Sequence, residues 1–293
     1  MFGKPKEKTF TEEECLKKAT RIRKMMEMTS RKNRTPAGKE LFLNTDEGKV
    51  RVLTYNLENE STLPLFVNIH GGGFILGSAE MDDPYMMNVA LNANVKIINI
   101  DYSLAPQAPF PKGLNECYAV IKYAKNNARE FGIDPRKIAV GGHSAGGNFS
   151  AAICIKNAQS RELNIKGLIL DYPPLDVFTD PFAKPNGKGL FAKMGRLFNA
   201  CYCDKEESKN PLVSPVYASK EQLKDFPPTL IITAGKDLLC SEAEIFRDNL
   251  KEAGVEVTHK RFESSKHGFT LSQKPDAKEA WQMMIDFLKK YLA

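Results

Sequence analysis

Apolar positions along the chain follow two periods. "KVRVLTYNL" (49–57) alternates apolar and polar residues, as a half-buried strand does. "LPLFVNIH" (63–70) and "VKIINIDY" (95–102) are continuous apolar runs, the signature of central parallel strands covered on both faces. "KIAVGG" (137–142), "IKGLILDYPP" (165–174) and "PTLIITAG" (228–235) predict three more strands, and "VEVTHKRF" (255–262) an alternating one. Between them, "GLNECYAVIKYAKNNAREFG" (113–132) has helical spacing and stops at Gly132, and further helical patterns follow Ser144, Ser241 and Pro275. The alternation predicts an α/β fold with a mostly parallel central sheet and helices on both faces.

Two segments break this rhythm. At the start, "TEEE" (11–14) has the form of a capping box, with Thr11 and Glu14 each able to bond the other's backbone amide. Cys15, Ala19, Ile22 and Met26 then form one apolar stripe on a basic helix, and "RKNRTPAGKE" (31–40) reads as the linker that ends it. Later, residues 174–215 are rich in Pro, Gly and Lys, with a short amphipathic piece around Leu190 to Phe198. An insertion of that length in a compact domain is functional or carries its own helices. The chain shows no internal repeat and no low-complexity segment.

Composition narrows the function classes. With 293 residues and 42% hydrophobic content, the chain can bury a full core. The net charge of +6 arises within residues 1–40, which hold twelve Lys/Arg and six Asp/Glu, and the rest balances. That basic surplus reads as a solvated helix face, and no aromatic-and-basic pattern points to nucleic acid. No apolar run is long enough for a membrane span. "MFGKPKEKTF" (1–10) leads into no apolar signal segment, so a cytoplasmic protein is expected. The six cysteines are scattered, without disulfide or metal-ligand spacing; Cys117 and Cys154 read as core residues, and "CYCD" (201–204) lacks a matching second pair. No metal or other cofactor is expected. Charge and composition leave the oligomeric state open, a homodimer included.

Candidate chemistry begins at "AVGGHSAGGN" (139–148). Strand, Gly-x-Ser-x-Gly, helix is the form of a nucleophile elbow, in which Gly142, Gly146 and Gly147 leave room for a sharp turn that lifts Ser144 above the sheet. Alone, that motif is also a common strand–helix turn. "HGGGF" (70–74) adds a run of bare amides at another strand's C-terminal end, able to receive a developing oxyanion. Of four histidines, His70 belongs to that loop and reads as structural. His143 abuts Ser144 but points elsewhere around a tight turn, and His259 reads as a solvent-side strand residue. His267, in "SSKHGF" (264–269), is the candidate base. Asp237, just past "LIITAG", is the candidate orienting acid, with helix capping as its alternative.

Taken together, "HGGGF", "DYSLAP" (101–106), "GHSAGGN", "TAGKDLL" (233–239) and "HGF" resemble the hormone-sensitive-lipase-like branch of the α/β-hydrolases, from about residue 41 to the end. The resemblance implies a serine carboxylesterase with a triad of Ser144, Asp237 and His267, and an oxyanion hole of the Gly72, Gly73 and Ala145 amides. It also implies a catalytic core of residues 41–173 and 216–293 under a helical cap of residues 1–40 and 174–215. The expected substrate is a small ester with a short to medium acyl chain. A deacetylase of acetylated sugars or a hydrolase of other natural esters is the alternative enzyme, and a non-catalytic ligand-binding protein on the same fold the alternative of another class. Two positions depart from the family pattern: His143 stands where Asp is usual, and Gln107 where Glu is usual. Both bear on the polar bracing of the oxyanion loop.

Overall fold

A computed structural model describes residues 10–29 and 36–293. The run 1–9 and the linker residues 30–35 lie outside the described residues. The elements run α1 (Glu12–Thr29), β1 (Lys39–Thr45), β2 (Gly48–Tyr55), β3 (Leu63–Ile69), α2 (Asp83–Ala93), β4 (Lys96–Asp101), α3 (Lys112–Asn126), α4 (Ala128–Phe131), β5 (Ile133–His143), α5 (Ala145–Ser160) and β6 (Ile165–Asp171). Then come α6 (Gly189–Tyr202), α7 (Lys220–Leu223), β7 (Thr229–Ala234), α8 (Cys240–Glu252), β8 (Val257–Phe262) and α9 (Pro275–Leu292).

Among the described residues, eight strands form one sheet in the order β1-β2-β4-β3-β5-β6-β7-β8. β2 pairs antiparallel with β1 and β4, and the pairs from β4 onward are parallel. The period of two sorts side chains between the layers. On β3, Leu65, Val67 and Ile69 face the core shared with α3 and α5, whereas Phe66 joins Met86 of α2 and Trp281 of α9 on the other side. Each fully buried Leu, Ile or Val contributes roughly 1.5–3 kcal/mol. The chain order reverses where β3 lies between β4 and β5, so loops leaving β3 and β5 open side by side at the sheet's C-terminal edge. That is where open α/β sheets bind ligands.

The capping box at the start of α1 is present: Thr11 N donates to Glu14 Oε2 and Glu14 N to Thr11 Oγ1, both at 3.2 Å. The apolar stripe holds over its first part only. Cys15 and Ala19 are buried against Ile75, Leu197 and Cys201, while Met26 is 42% exposed. Three elements are additions to the sequence reading, the short α7 among them. β1 begins at Lys39, inside what reads as linker, and α2 fills the segment between β3 and β4. Cys117 and Cys154 are core residues, as expected. His259 differs from expectation: it is not solvent-side but sits between Thr233 Oγ1 (3.0 Å) and Arg247 (3.2 Å), because α8 covers that face of β8. Among the described residues, no helix is long and apolar enough to cross a membrane.

Candidate active site

The turn between β5 and α5 places Ser144 at φ 51°, ψ −120°, a conformation rare for a side chain other than glycine. The neighbours that permit it are small by necessity. A Cβ on Gly146 would stand 1.9 Å from the Ile69 carbonyl oxygen, so the elbow presses directly on β3. Ser144 N donates to the Asp171 carbonyl at 2.9 Å, which ties the elbow to β6.

His267 and Asp237 reach Ser144 from loops more than ninety residues downstream in sequence. His267 Nε2 is 3.0 Å from Ser144 Oγ, and its Nδ1 is 2.6 Å from Asp237 Oδ2. Asp237 is buried, and its second oxygen accepts the Leu239 amide at 3.1 Å. The two readings of Asp237 are therefore compatible: one oxygen braces the turn into α8 and the other faces the imidazole. The His267 ring is packed between Tyr172 (centroids 4.9 Å) and Phe191 (4.8 Å).

The loop after β3 supplies donors. Ile75 N and Leu76 N both donate to the Gly72 carbonyl, closing a turn that Gly72 (φ 123°) and Gly73 (φ 60°) make possible. Among the described residues, the amides of Gly72 and Gly73 donate to no backbone carbonyl. Ala145 opens α5, where first-turn amides lack intrahelical acceptors and the helix dipole favours negative charge. His70 is wholly buried under this loop, stacked on Tyr102 at 4.2 Å.

A brace on this loop was not legible in the sequence. Arg23 of α1 donates to the Ile75 carbonyl at 2.7 Å, the Ala105 carbonyl at 2.5 Å and Gln107 Oε1 at 2.9 Å. One planar guanidinium thus fastens both loops flanking the free amides. Gln107 takes part as a neutral acceptor.

A cavity of about 260 Å³ opens over these groups. Its roof is one face of α6: Phe191, Met194, Gly195 and Phe198, spaced i, i+3, i+4 and i+7. Phe191 covers His267. Phe198 covers the Gly72–Gly73 loop so closely that a Cβ on Gly73 would lie 2.2 Å from its ring. Leu238, Leu239 and Leu271 continue the apolar wall. Polar residues also line it, among them Asp176, Asn199 and Lys184, whose Nζ lies 2.5 Å from Glu242 Oε2 and donates to the Asp176 carbonyl at 2.6 Å. Glu242 Oε1 also accepts the Leu175 and Asp176 amides, so this buried pair pins the insertion to α8. Burial pushes the Glu242 carboxyl up to about 7 against the opposing pull of Lys184. Among the described residues, no group of His, Cys, Asp and Glu is arranged to hold a metal ion; Cys201 of "CYCD" is buried in the α1–α6 seam with Cys15.

Such a constellation on such a sheet defines a class, the hydrolases that pair a strand–helix elbow with an imidazole and a bed of amides. Residues 66–271 match the α/β-hydrolase fold family, and the chain belongs to it, as the resemblance to hormone-sensitive-lipase-like esterases implies. An AB hydrolase superfamily protein of Schizosaccharomyces pombe is 34% identical over 71% of this chain, a match spanning 64% of that relative's own length. An arylesterase of Saccharolobus solfataricus is 29% identical over 86% of this chain and 82% of its own. Among solved structures, a thermophilic and thermostable carboxylesterase cloned from a metagenomic library superposes with a TM-score of 0.85 at 28% identity, covering 94% of this chain and 98% of that one.

Proposed function

We propose that the protein is a serine carboxylesterase that cleaves short- to medium-chain acyl esters through an acyl-enzyme. The observation that carries this reading is the unbroken relay Ser144 Oγ–His267 Nε2 (3.0 Å) and His267 Nδ1–Asp237 Oδ2 (2.6 Å), set in one cavity with Gly72 and Gly73, whose amides donate to no backbone carbonyl among the described residues. Asp237 holds the imidazole with its proton on Nδ1, leaving Nε2 to take the Ser144 proton as Oγ attacks the ester carbonyl. The Gly72, Gly73 and Ala145 amides receive the oxyanion. His267 then returns the proton to the departing alcohol, and water repeats the sequence on the acyl-enzyme.

The cap is part of the proposal. Residues 174–215, with α1 packed on α6, roof the cavity with apolar rings and leave the sheet edge below for chemistry. That wall suits an aliphatic or aromatic ester better than an acetylated oligosaccharide, whose hydroxyls would lose their hydrogen bonds there. The six unpaired thiols suit a reducing compartment, in keeping with a cytoplasmic protein.

The decisive experiment is Ser144→Ala. It should abolish both p-nitrophenol release from p-nitrophenyl acetate and covalent labelling by a fluorophosphonate. Unchanged turnover in that variant overturns the mechanism. Rates across p-nitrophenyl esters of rising acyl length, set against acetylated xylan oligomers, decide the substrate class.

A further inference from the structure

A second polar cluster lies directly behind the elbow and takes no part in the steps above. His143 is buried, with Nδ1 2.6 Å from Asp171 Oδ2 and Nε2 3.9 Å from Asp82 Oδ1. Asp171 and Asp82 are themselves 0% and 1% exposed. Asp171 Oδ2 also accepts the Thr270 hydroxyl at 2.7 Å, so the Tyr172 hydroxyl, 2.6 Å from Thr270 Oγ1, must be the donor in that contact. The Tyr172 ring in turn stands edge-on to His267. Thr270 lies three residues beyond His267, and its carbonyl is held by Trp281 Nε1 at 2.9 Å. The same Asp171 accepts the Ser144 amide through its own carbonyl.

We propose that His143 is a positioning residue for the hydrolytic relay: held between Asp82 and Asp171, it fixes the chain Asp171–Thr270–Tyr172 on which the His267 ring rests. The proposal builds on the relay reading and adds a role for a residue outside it. Its physical basis is charge. Asp82 Oδ2 accepts Asn68 Nδ2 at 2.7 Å, while its Oδ1 faces His143 Nε2; a protonated ring serves both carboxylates, and a neutral ring leaves that oxygen facing a lone pair. The ionisable groups facing His143 are Asp171 and Tyr172 from the end of β6 and its exit, and Asp82 from the approach to α2. On the remaining side, α9 contributes the Trp281 ring, at 5.2 Å between centroids. Burial pulls the His143 imidazole down, but Asp82 and Asp171 outweigh it and hold it above the ordinary histidine range. A histidine raised in this way adds stability that is complete below its unfolded value and fades as pH rises through the folded one. The Asp171–Thr270 contact should therefore loosen on the alkaline side.

The test measures kcat and KM on p-nitrophenyl acetate from pH 6 to 10 for the whole chain and for His143→Asn and Thr270→Val, with a melting curve for each. In the unaltered protein, kcat should fall on the alkaline side. His143→Asn should lower kcat about tenfold at neutral pH, the scale of a modest misplacement of a reacting group, with KM within about twofold. It should also abolish the alkaline fall. Thr270→Val cuts the chain while leaving the charges in place, and should lower kcat and flatten that fall as well, since His143 then has no link to the His267 ring. A folded His143→Asn variant with unaltered kcat and pH profile overturns the proposal. Should His143→Asn fail to fold, an unaltered kcat in Thr270→Val overturns it instead. Ser144→Ala separates the two readings. Residual turnover there defeats the relay itself; an inactive Ser144→Ala beside a normal His143→Asn defeats only the role given to His143.

Discussion

The floor and the roof of the cavity are built on opposite terms. The floor is backbone: the Ser144 elbow, the Gly72–Gly73 turn and the first amide of α5, pressed together with no side chain between them. The roof is side chain: four residues on one face of α6, brought over the floor by helical spacing. Errors in the floor therefore cannot be relieved by a rotamer change, whereas the roof can give. Chemistry is assigned to the rigid half and selectivity to the adaptable one.

The harshest way to break this contrast is Gly146→Ala. Its Cβ would meet a carbonyl oxygen of β3 at 1.9 Å, so the strand or the elbow must move. The expected outcome is loss of activity and of several kcal/mol of stability, roughly 3 or more, read from esterase rate and denaturant midpoint. Wild-type melting with full activity would show that the floor does yield.

Next comes the join between the halves. Lys184→Met strands Glu242, buried beside the insertion, and should cost about 3 kcal/mol at pH 8. The sign with pH follows from the Glu242 carboxyl, already held at about 7 in the fold. A raised carboxyl is easier to bury as the neutral acid, so stability falls as pH rises from the ordinary carboxylate range through that value. The variant's deficit should thus shrink at pH 5, as urea titrations at the two pH values would reveal. Arg23→Met reaches the floor from α1 and should lower kcat about tenfold through a less ordered oxyanion loop, with little change in melting temperature. Inhibition by a phosphonate transition-state mimic would weaken in parallel. The mildest effect falls on the roof itself: Phe191→Ala should raise kcat/KM for a p-nitrophenyl octanoate relative to the acetate by only a few-fold. A hundred-fold collapse on both esters would instead make Phe191 part of the floor's machinery.

The same division explains what could be read from the chain. Strands β2 to β8 and the loops leaving β3 and β5 were legible because backbone requirements leave local marks: continuous apolar runs, glycines at fixed spacing, a Ser between them. Ser144, Asp237 and His267 stood out since each follows a strand end, where the fold gathers its loops. β1 escaped because "KELFLNT" follows a Pro-Ala-Gly break and exposes most of its residues. α2 begins at Asp83–Pro84 and carries its buried positions on a mixed polar background, so its period is faint. Arg23, Lys184, Glu242 and Asp171 were beyond reach, since each gains its meaning from a partner brought near by tertiary structure alone. The piece around Leu190 to Phe198 did carry the i, i+3, i+4, i+7 mark of the roof, yet nothing local says what such a face will cover.

That face of α6 has a consequence for how relatives of this enzyme can diverge. A one-residue insertion early in the helix would turn every later position by about 100°, exchanging the ring over Gly73 for a different neighbour. Substrate range can thus drift through length changes in a single helix while the reacting groups are inherited intact, a tuning knob mounted apart from the engine.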